Sequence, residues 1–151
     1  MEQSAQKLSA TMKPEKLGEW LVHGKRGTVH IVRFLKSQLL ESYQVEGIQT
    51  TLTKLVTSNR KMPLVVNMGH VRRMGSSTLG MLVHVQNELR KNGGTMVLCG
   101  LRDDLYRPFK ITGLNKQFVF YGQESEAVAA LHIQGGKGMG TPIVKPPKKL
   151  V

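Results

Sequence analysis

The sequence predicts an α/β domain with mixed strand pairing. Short apolar, β-rich runs alternate with segments whose apolar residues recur every three or four positions, the pattern of strands interleaved with amphipathic helices. Only a short glycine-bounded loop separates the first two runs, so that pair reads as antiparallel, whereas a helical segment separates later runs, which read as parallel. At 151 residues, the chain can bury a real core in one domain without disulfides or metal.

Residues 1–18 are polar and mixed in charge, with Pro14 and Gly18 as breakers, and are expected to form a disordered leader. "EWLVH" and "TVHIVRF" flank "GKRG" and suggest a hairpin. Between Tyr43 and Asn59, the residues Val45, Ile48, Leu52, Leu55 and Val56 fall on one helical face. "PLVVNM", with Pro63 at its mouth, reads as a strand covered on both sides. From Ser77 to Asn92, a stripe of Leu79, Leu82, Val83, Gln86 and Leu89 marks a second helix, which "NGG" ends. "TMVLCGL" is another buried strand. "RDDLYRPFKITGL" opens with acids suited to a helix N-terminus, and Pro108 is expected to shorten or kink that helix. "QFVFYG" gives the last strand and "SEAVAALHI" the last helix. Beyond Ile133 the periodicity stops, so residues 133–151, rich in Gly, Pro and Lys, are expected to form a disordered basic tail. The folded domain is assigned to residues 19–132.

The formal net charge is +12. Basic residues outnumber acidic ones five to three over residues 1–27, thirteen to seven over 28–131 and four to none over 132–151, so a third of the excess lies in the tail. Such a balance favours an acidic protein, anionic lipid or nucleic acid through long-range attraction, or it is simply a solvated basic surface. Nucleic acid ranks lowest, because aromatics are scarce and no reading helix or RNA motif is visible. The N-terminal stretch has no apolar core of a signal peptide, and no segment approaches the roughly 20 apolar residues of a transmembrane helix. The single cysteine, Cys99, sits in an apolar run as a small buried hydrophobe. These features point to a cytoplasmic protein.

Several chemistries are disfavoured. The glycines of "GGKGMG" precede no helical pattern, so they form no dinucleotide loop, and the P-loop spacing is missing. No two of His23, His30, His70, His84 and His132 stand at i, i+4 on one helix, and no second cysteine joins them, so no metal site is assigned. Ser76 or Ser77 followed by Asp103, Asp104 and His132 has the order of a hydrolase triad. The G-x-S-x-G elbow nevertheless fails by one residue, since Leu79 stands where glycine is needed and Gly80 comes one later. No catalytic residue and no cofactor is assigned.

The informative stretch is the junction Gly75, Ser76, Ser77, where a strand gives way to a helix. A hydroxyl there lies near unpaired backbone amides and the positive end of the helix dipole. One reading is an inert N-cap at Ser76 or Ser77, worth about 1 kcal/mol. The other is a phosphorylation site. A phosphoryl group, carrying roughly −1.5 to −2 charges, suits the dipole and the nearby Arg72 and Arg73, and changes the surface offered to a partner without unfolding the domain.

"PLVVNM", "MGSSTLG", "NGGTMVLCGL" and "DLYRPFKITGLNKQFVFY" together resemble the STAS domain of bacterial anti-sigma factor antagonists, over about residues 19–132. The resemblance implies a STAS-like fold, a four- to five-stranded mixed β-sheet with helices packed mainly on one side, and a non-enzymatic regulator of transcription. In that family the motif resembles Asp-Ser-Ser/Thr-Gly-Leu-Gly, and its first serine is phosphorylated by a histidine-kinase-like ATPase that is also the anti-sigma factor. By position Ser76 is the implied phosphoacceptor, with Ser77 the alternative. Leu79 matches the packed leucine and Gly80 the following glycine. Arg72, Arg73, Met74, Gly75, Ser77 and Thr78 are the implied partner-binding residues. The chain departs from the pattern at Gly75, where aspartate is usual, and at Thr78, where a glycine is usual and a β-branched side chain is expected at the docking surface. The family's Gly-Glu-Leu/Ile-Asp segment is replaced by "FLKSQLLESYQ". The alternative function is a constitutive scaffold that holds an acidic protein, lipid or nucleic acid through its basic surface.

Overall fold

A computed structural model describes residues 11–135. Its strands are β1 (Thr11–Leu17), β2 (Leu21–Arg26), β3 (Val29–Phe34), β4 (Gln38–Leu39), β5 (Pro63–Asn67), β6 (Arg73–Met74), β7 (Thr95–Cys99) and β8 (Val119–Tyr121). Its helices are α1 (Ser42–Ser58), α2 (Ser76–Lys91), α3 (Asp103–Thr112) and α4 (Glu124–Gly135), with a 3-10 turn at Leu114–Lys116. Six strands form one sheet in the order β1-β2-β3-β5-β7-β8. The first three are antiparallel, and β3, β5, β7 and β8 run parallel. The remaining two, β4 and β6, form a separate parallel pair.

The alternation of side chains along the strands divides the core. Val32, Phe34, Leu64, Val66, Met96, Leu98 and Phe120 pack with the apolar stripes of α1, α2 and α3, while Val29, Ile31, Val65, Val97 and Cys99 meet Ala127, Val128 and Leu131 of α4. Three helices therefore cover one face and one covers the other, which explains why the central strands read as nearly continuous apolar runs.

The observed elements depart from the sequence expectations in four places. Residues 133–135, expected to begin the tail, continue α4 to Gly135. The expected unstructured leader contributes β1, which adds to the free edge of β2 and raises the sheet to six strands. Its register shifts between Met12 and Glu15, around Pro14, which has no amide to donate and so fits an edge bulge. Residues 1–10 of that leader, and 136–151 of the tail, lie outside the described residues. The hairpin is tighter than expected: β2 runs through Gly24-Lys25-Arg26, and the turn is Gly27-Thr28, with Gly27 at φ 63°. That positive φ at the first central position matches the twist of the strands it joins. Finally, α3 continues through Pro108 to Thr112, where Gly113 caps it in the left-handed conformation (φ 81°). Burial of Phe109, edge-to-face with Phe118 and Phe120, holds the turn that follows the proline.

Candidate functional site at the start of the second helix

The segment between β5 and α2 is fixed link by link. At the end of β5, Asn67 donates Nδ2 to Glu124 Oε1 (2.7 Å) and accepts the Gly69 amide on Oδ1 (2.7 Å), which turns the chain. Glu124 also receives Arg33 Nε (3.0 Å) and Nη2 (2.8 Å). Burial would raise the Glu124 carboxyl, but the hydrogen bonds from Arg33 and Asn67 and the charges of Arg33 and Arg26 outweigh it and hold the group below its usual value. This network ties the start of α4 to β3 and β5. Farther along, the amides of Arg72 and Arg73 both donate to Ser37 O (2.7 and 3.1 Å), and β6 then pairs with β4.

Gly75 is the N-cap of α2 (φ −105°, ψ −178°) and donates its amide to Leu39 O at 3.4 Å. Ser76 and Ser77 are thus the first two helical residues, and no side-chain cap forms. Both are exposed, and among the described residues neither hydroxyl has a hydrogen-bond partner. The Thr78 amide folds back to Gly75 O (3.1 Å), and among the described residues the amides of Ser76 and Ser77 have no backbone acceptor. Two exposed hydroxyls, two open amides and the helix dipole therefore converge. This arrangement can accept an anionic group.

Of the expected partner-binding residues, Arg72, Arg73 and Ser77 are exposed and Gly75 is half-buried beside Ser76. Met74 is half-buried and packs against the main core. Thr78 corrects the expectation of a side chain on the docking surface: it is 0% exposed and donates Oγ1 to Leu39 O at 3.0 Å. Its hydroxyl needs a buried acceptor, and Leu39 O provides one. Leu79 is buried, as its counterpart in the motif implies, and Gly80 is exposed with nothing among the described residues within 4 Å of an added Cβ. At Gly75 the nearest atom to an added Cβ is Leu40 Cδ2 at 3.9 Å, so the residue is not glycine for want of space.

The triad order found in sequence does not assemble. His132 lies on α4 against Gly27, on the face of the sheet opposite α2. Burial pushes the Cys99 thiol up to about 12, which leaves it inert. Among the described residues, no group of three or more His, Cys, Asp or Glu side chains is placed to hold a metal ion. One pairing was invisible at helical spacing: His23 and His30, diagonal neighbours across the hairpin, join Nε2 to Nδ1 at 2.9 Å with nearly parallel rings.

Comparisons with known proteins agree with this geometry. The family model of the STAS domain matches residues 25–127. The chain is 31% identical over 91 residues to the anti-sigma-B factor antagonist of Listeria monocytogenes, spanning 60% of this chain and 78% of that protein. An anti-sigma-factor antagonist (STAS) domain protein from Planctomyces limnophilus shares the fold at a TM-score of 0.68 and 18% identity, over 74% of this chain and 97% of that one. The Bacillus cell fate determinant SpoIIAA in its phosphorylated form superposes at 0.55 and 19%, covering 78% of this chain and 96% of its own. With the mixed sheet, the three-plus-one helix arrangement and the Ser-Ser junction at the head of α2, the chain belongs to the STAS domain family.

Proposed function

We propose that this protein is an anti-sigma factor antagonist that works as a cytoplasmic binding switch: unmodified, it engages an anti-sigma factor of the histidine-kinase-like ATPase type, and phosphorylation of Ser76 releases it. The observation that carries the reading is the exposed Ser76 hydroxyl at the first position of α2, free of any intrachain hydrogen bond among the described residues. A helix cap would have engaged that oxygen. Here Gly75 occupies the cap position, so the hydroxyl is left over for another use. Ser77, also exposed, is the second acceptor by the same criteria.

The physical effect of phosphate is local. About −1.5 to −2 charges would sit over the open amides of Ser76 and Ser77, where a helix N-terminus stabilises negative charge by roughly 0.3–1 kcal/mol, up to about 2 when partly buried. The fold survives the modification and the surface does not. A partner seated on the exposed Ser76, Ser77 and Gly80 meets new charge and bulk, and the chain changes partners without any chemistry of its own. The exposed Arg72 and Arg73 also support a second reading, a constitutive scaffold for an acidic partner. Incubation with the cognate ATPase and ATP, followed by mass mapping, separates the two: the switch requires label on Ser76 that disappears in Ser76→Ala. Label only elsewhere, or none, leaves the scaffold.

A further inference from the structure

Every crossover in the parallel part of the sheet returns to the same end of the domain. There β5, β7 and β8 start, α1, α2 and α3 finish, and α4 ends beside the β2–β3 turn, where His132 meets Gly27. Hydrogen bonds join the connections: the Lys61 amide donates to Asn92 O (2.7 Å), the Thr95 amide to Met62 O (3.1 Å), and Gln86 Nε2 of α2 to Gln117 O (2.8 Å). These connections share one charge. Arg60 and Lys61 follow α1, Arg90 and Lys91 close α2, and Lys110 and Lys116 flank the end of α3; all six are exposed. Lys61 is held at φ 57°, a conformation glycine or asparagine adopts with less strain, so backbone geometry does not demand a lysine there. The only carboxylate in these connections or in the last turns of the four helices is Glu88, half-buried and paired with Lys91 at 3.2 Å.

The excess is confined to this end. At the other, where Ser76 stands, Lys36, Arg72, Arg73 and Arg102 are matched in number by Glu19, Glu41, Asp103 and Asp104, and Arg33 is bonded to Glu124. The 16 residues of α2 separate the two ends by about 24 Å at 1.5 Å per residue, several times the Debye length of about 8 Å. Four helix C-termini bring roughly −0.5 charge each to the basic end, about two charges in all, which the six cations exceed. Beyond Gly135, where α4 ends, the sequence adds Lys137, Lys145, Lys148 and Lys149 and no carboxylate. Ile111 decides which polyanion fits. It is 76% exposed, more than any other large apolar side chain among the described residues, and follows Lys110 directly. The rings of this end, Phe109 and Phe118, are buried, so none is offered for stacking on a base. An exposed aliphatic side chain among cations suits the boundary between anionic headgroups and acyl chains. We infer that Arg60, Lys61, Arg90, Lys91, Lys110 and Lys116, together with Ile111, form a docking surface for an anionic bilayer, with Ser76 held on the far side of the domain. The inference is independent of the proposed switch.

The test is co-sedimentation of the full chain, at physiological ionic strength, with vesicles of phosphatidylcholine alone and of phosphatidylcholine with about one-third phosphatidylserine. Partition onto the anionic vesicles only is expected. A basic residue near such a surface strengthens binding about fivefold, so Arg60→Gln/Lys61→Gln should weaken partition at least about tenfold, with circular dichroism unchanged. Lys36→Gln/Arg102→Gln removes equal charge from the other end and should change partition less than about twofold. Ile111→Ser should weaken it about fivefold without unfolding, because the side chain is already exposed. Absence of partition, equal losses in the two double variants, or binding to duplex RNA at least as tight as to the anionic vesicles overturns the inference. So does partition that ignores Arg60→Gln/Lys61→Gln and vanishes in Lys145→Gln/Lys148→Gln/Lys149→Gln, which would assign the contact to the sequence beyond α4 alone. Ser76→Asp should leave partition unchanged whether or not the switch operates, so the two proposals fail separately.

Discussion

Two helical glycines provide a test with opposite signs. Gly80, in the motif of α2, is exposed, and an added Cβ would meet nothing within 4 Å among the described residues. Gly47, in α1, faces the indole of Trp20, where an added Cβ would overlap Cζ3 and stand 2.7 Å from Cη2. Alanine in a helix interior is worth about 0.5–1 kcal/mol over glycine. Gly80→Ala should therefore stabilise the domain by that amount, raising Tm by roughly 2–6 °C for a fold of this size. Gly47→Ala gains the same propensity but must displace a ring, and such overpacking costs about 1–3 kcal/mol before any lost Trp20 packing is counted. The net effect should be a destabilisation of about 1–2 kcal/mol. Urea and thermal unfolding followed by circular dichroism measure both variants. Trp20 is the only tryptophan, so its emission should shift in Gly47→Ala and hold steady in Gly80→Ala. Equal stabilisation of the two variants would refute the packing of Trp20 on α1. Gly80→Ala should also weaken binding of the proposed partner even as it stabilises the fold, because the exposed helix surface at Gly80, bare among the described residues, is where that partner would sit.

Three further outcomes follow from the same geometry. Thr78→Val keeps the shape and deletes the hydroxyl, leaving Leu39 O with only the long bond from Gly75; a loss of about 1–2 kcal/mol in chemical denaturation is expected, whereas Thr78→Ser should retain most of it. The His30 side chain is lowered to about 4 by burial first and by the charges of His23 and Lys25 next. The unfolded chain therefore binds more protons between the ordinary histidine value and that one, so stability should fall as pH drops from about 6.5 toward 4; a slope unchanged in His30→Phe would contradict this. Glu124→Gln removes the charge that Arg33 and Arg26 face while keeping the shape, and should lower stability with an effect that shrinks below the depressed titration of the carboxyl; a pH-independent loss would show that only packing matters there.

The sequence was most legible where one periodicity ran long enough to be unambiguous. Along the predicted stripes Val45, Ile48, Leu52, Val56, Leu79, Leu82, Gln86 and Leu89 are buried, while Leu55 and Val83 are only half-buried at the stripe edges, and the apolar runs at Leu64–Val66 and Met96–Cys99 form central strands. Edges were less legible. The polar segment from Thr11 carries no alternating apolar pattern, and its pairing comes from backbone bonds to β2 that composition does not encode. The two-residue turn at Gly27-Thr28 was hidden by a second glycine at Gly24, and with it the register that brings His23 beside His30. At the site, the motif located the helix start, but the roles of its residues needed contacts. Thr78 reads as one more small hydroxyl until Leu39 O is seen beneath it, and the Leu35–Tyr43 segment looks like an ordinary loop until β4 binds it to β6.

The decisive measurement is the affinity of the purified cognate ATPase for the chain in two forms, unmodified and phosphorylated on Ser76, by calorimetry at physiological ionic strength. Binding by the unmodified chain, weakened at least about tenfold by the single phosphate while circular dichroism reports an unchanged fold, is the expected result. Equal affinity for both forms would contradict the account, however tightly the partner is held.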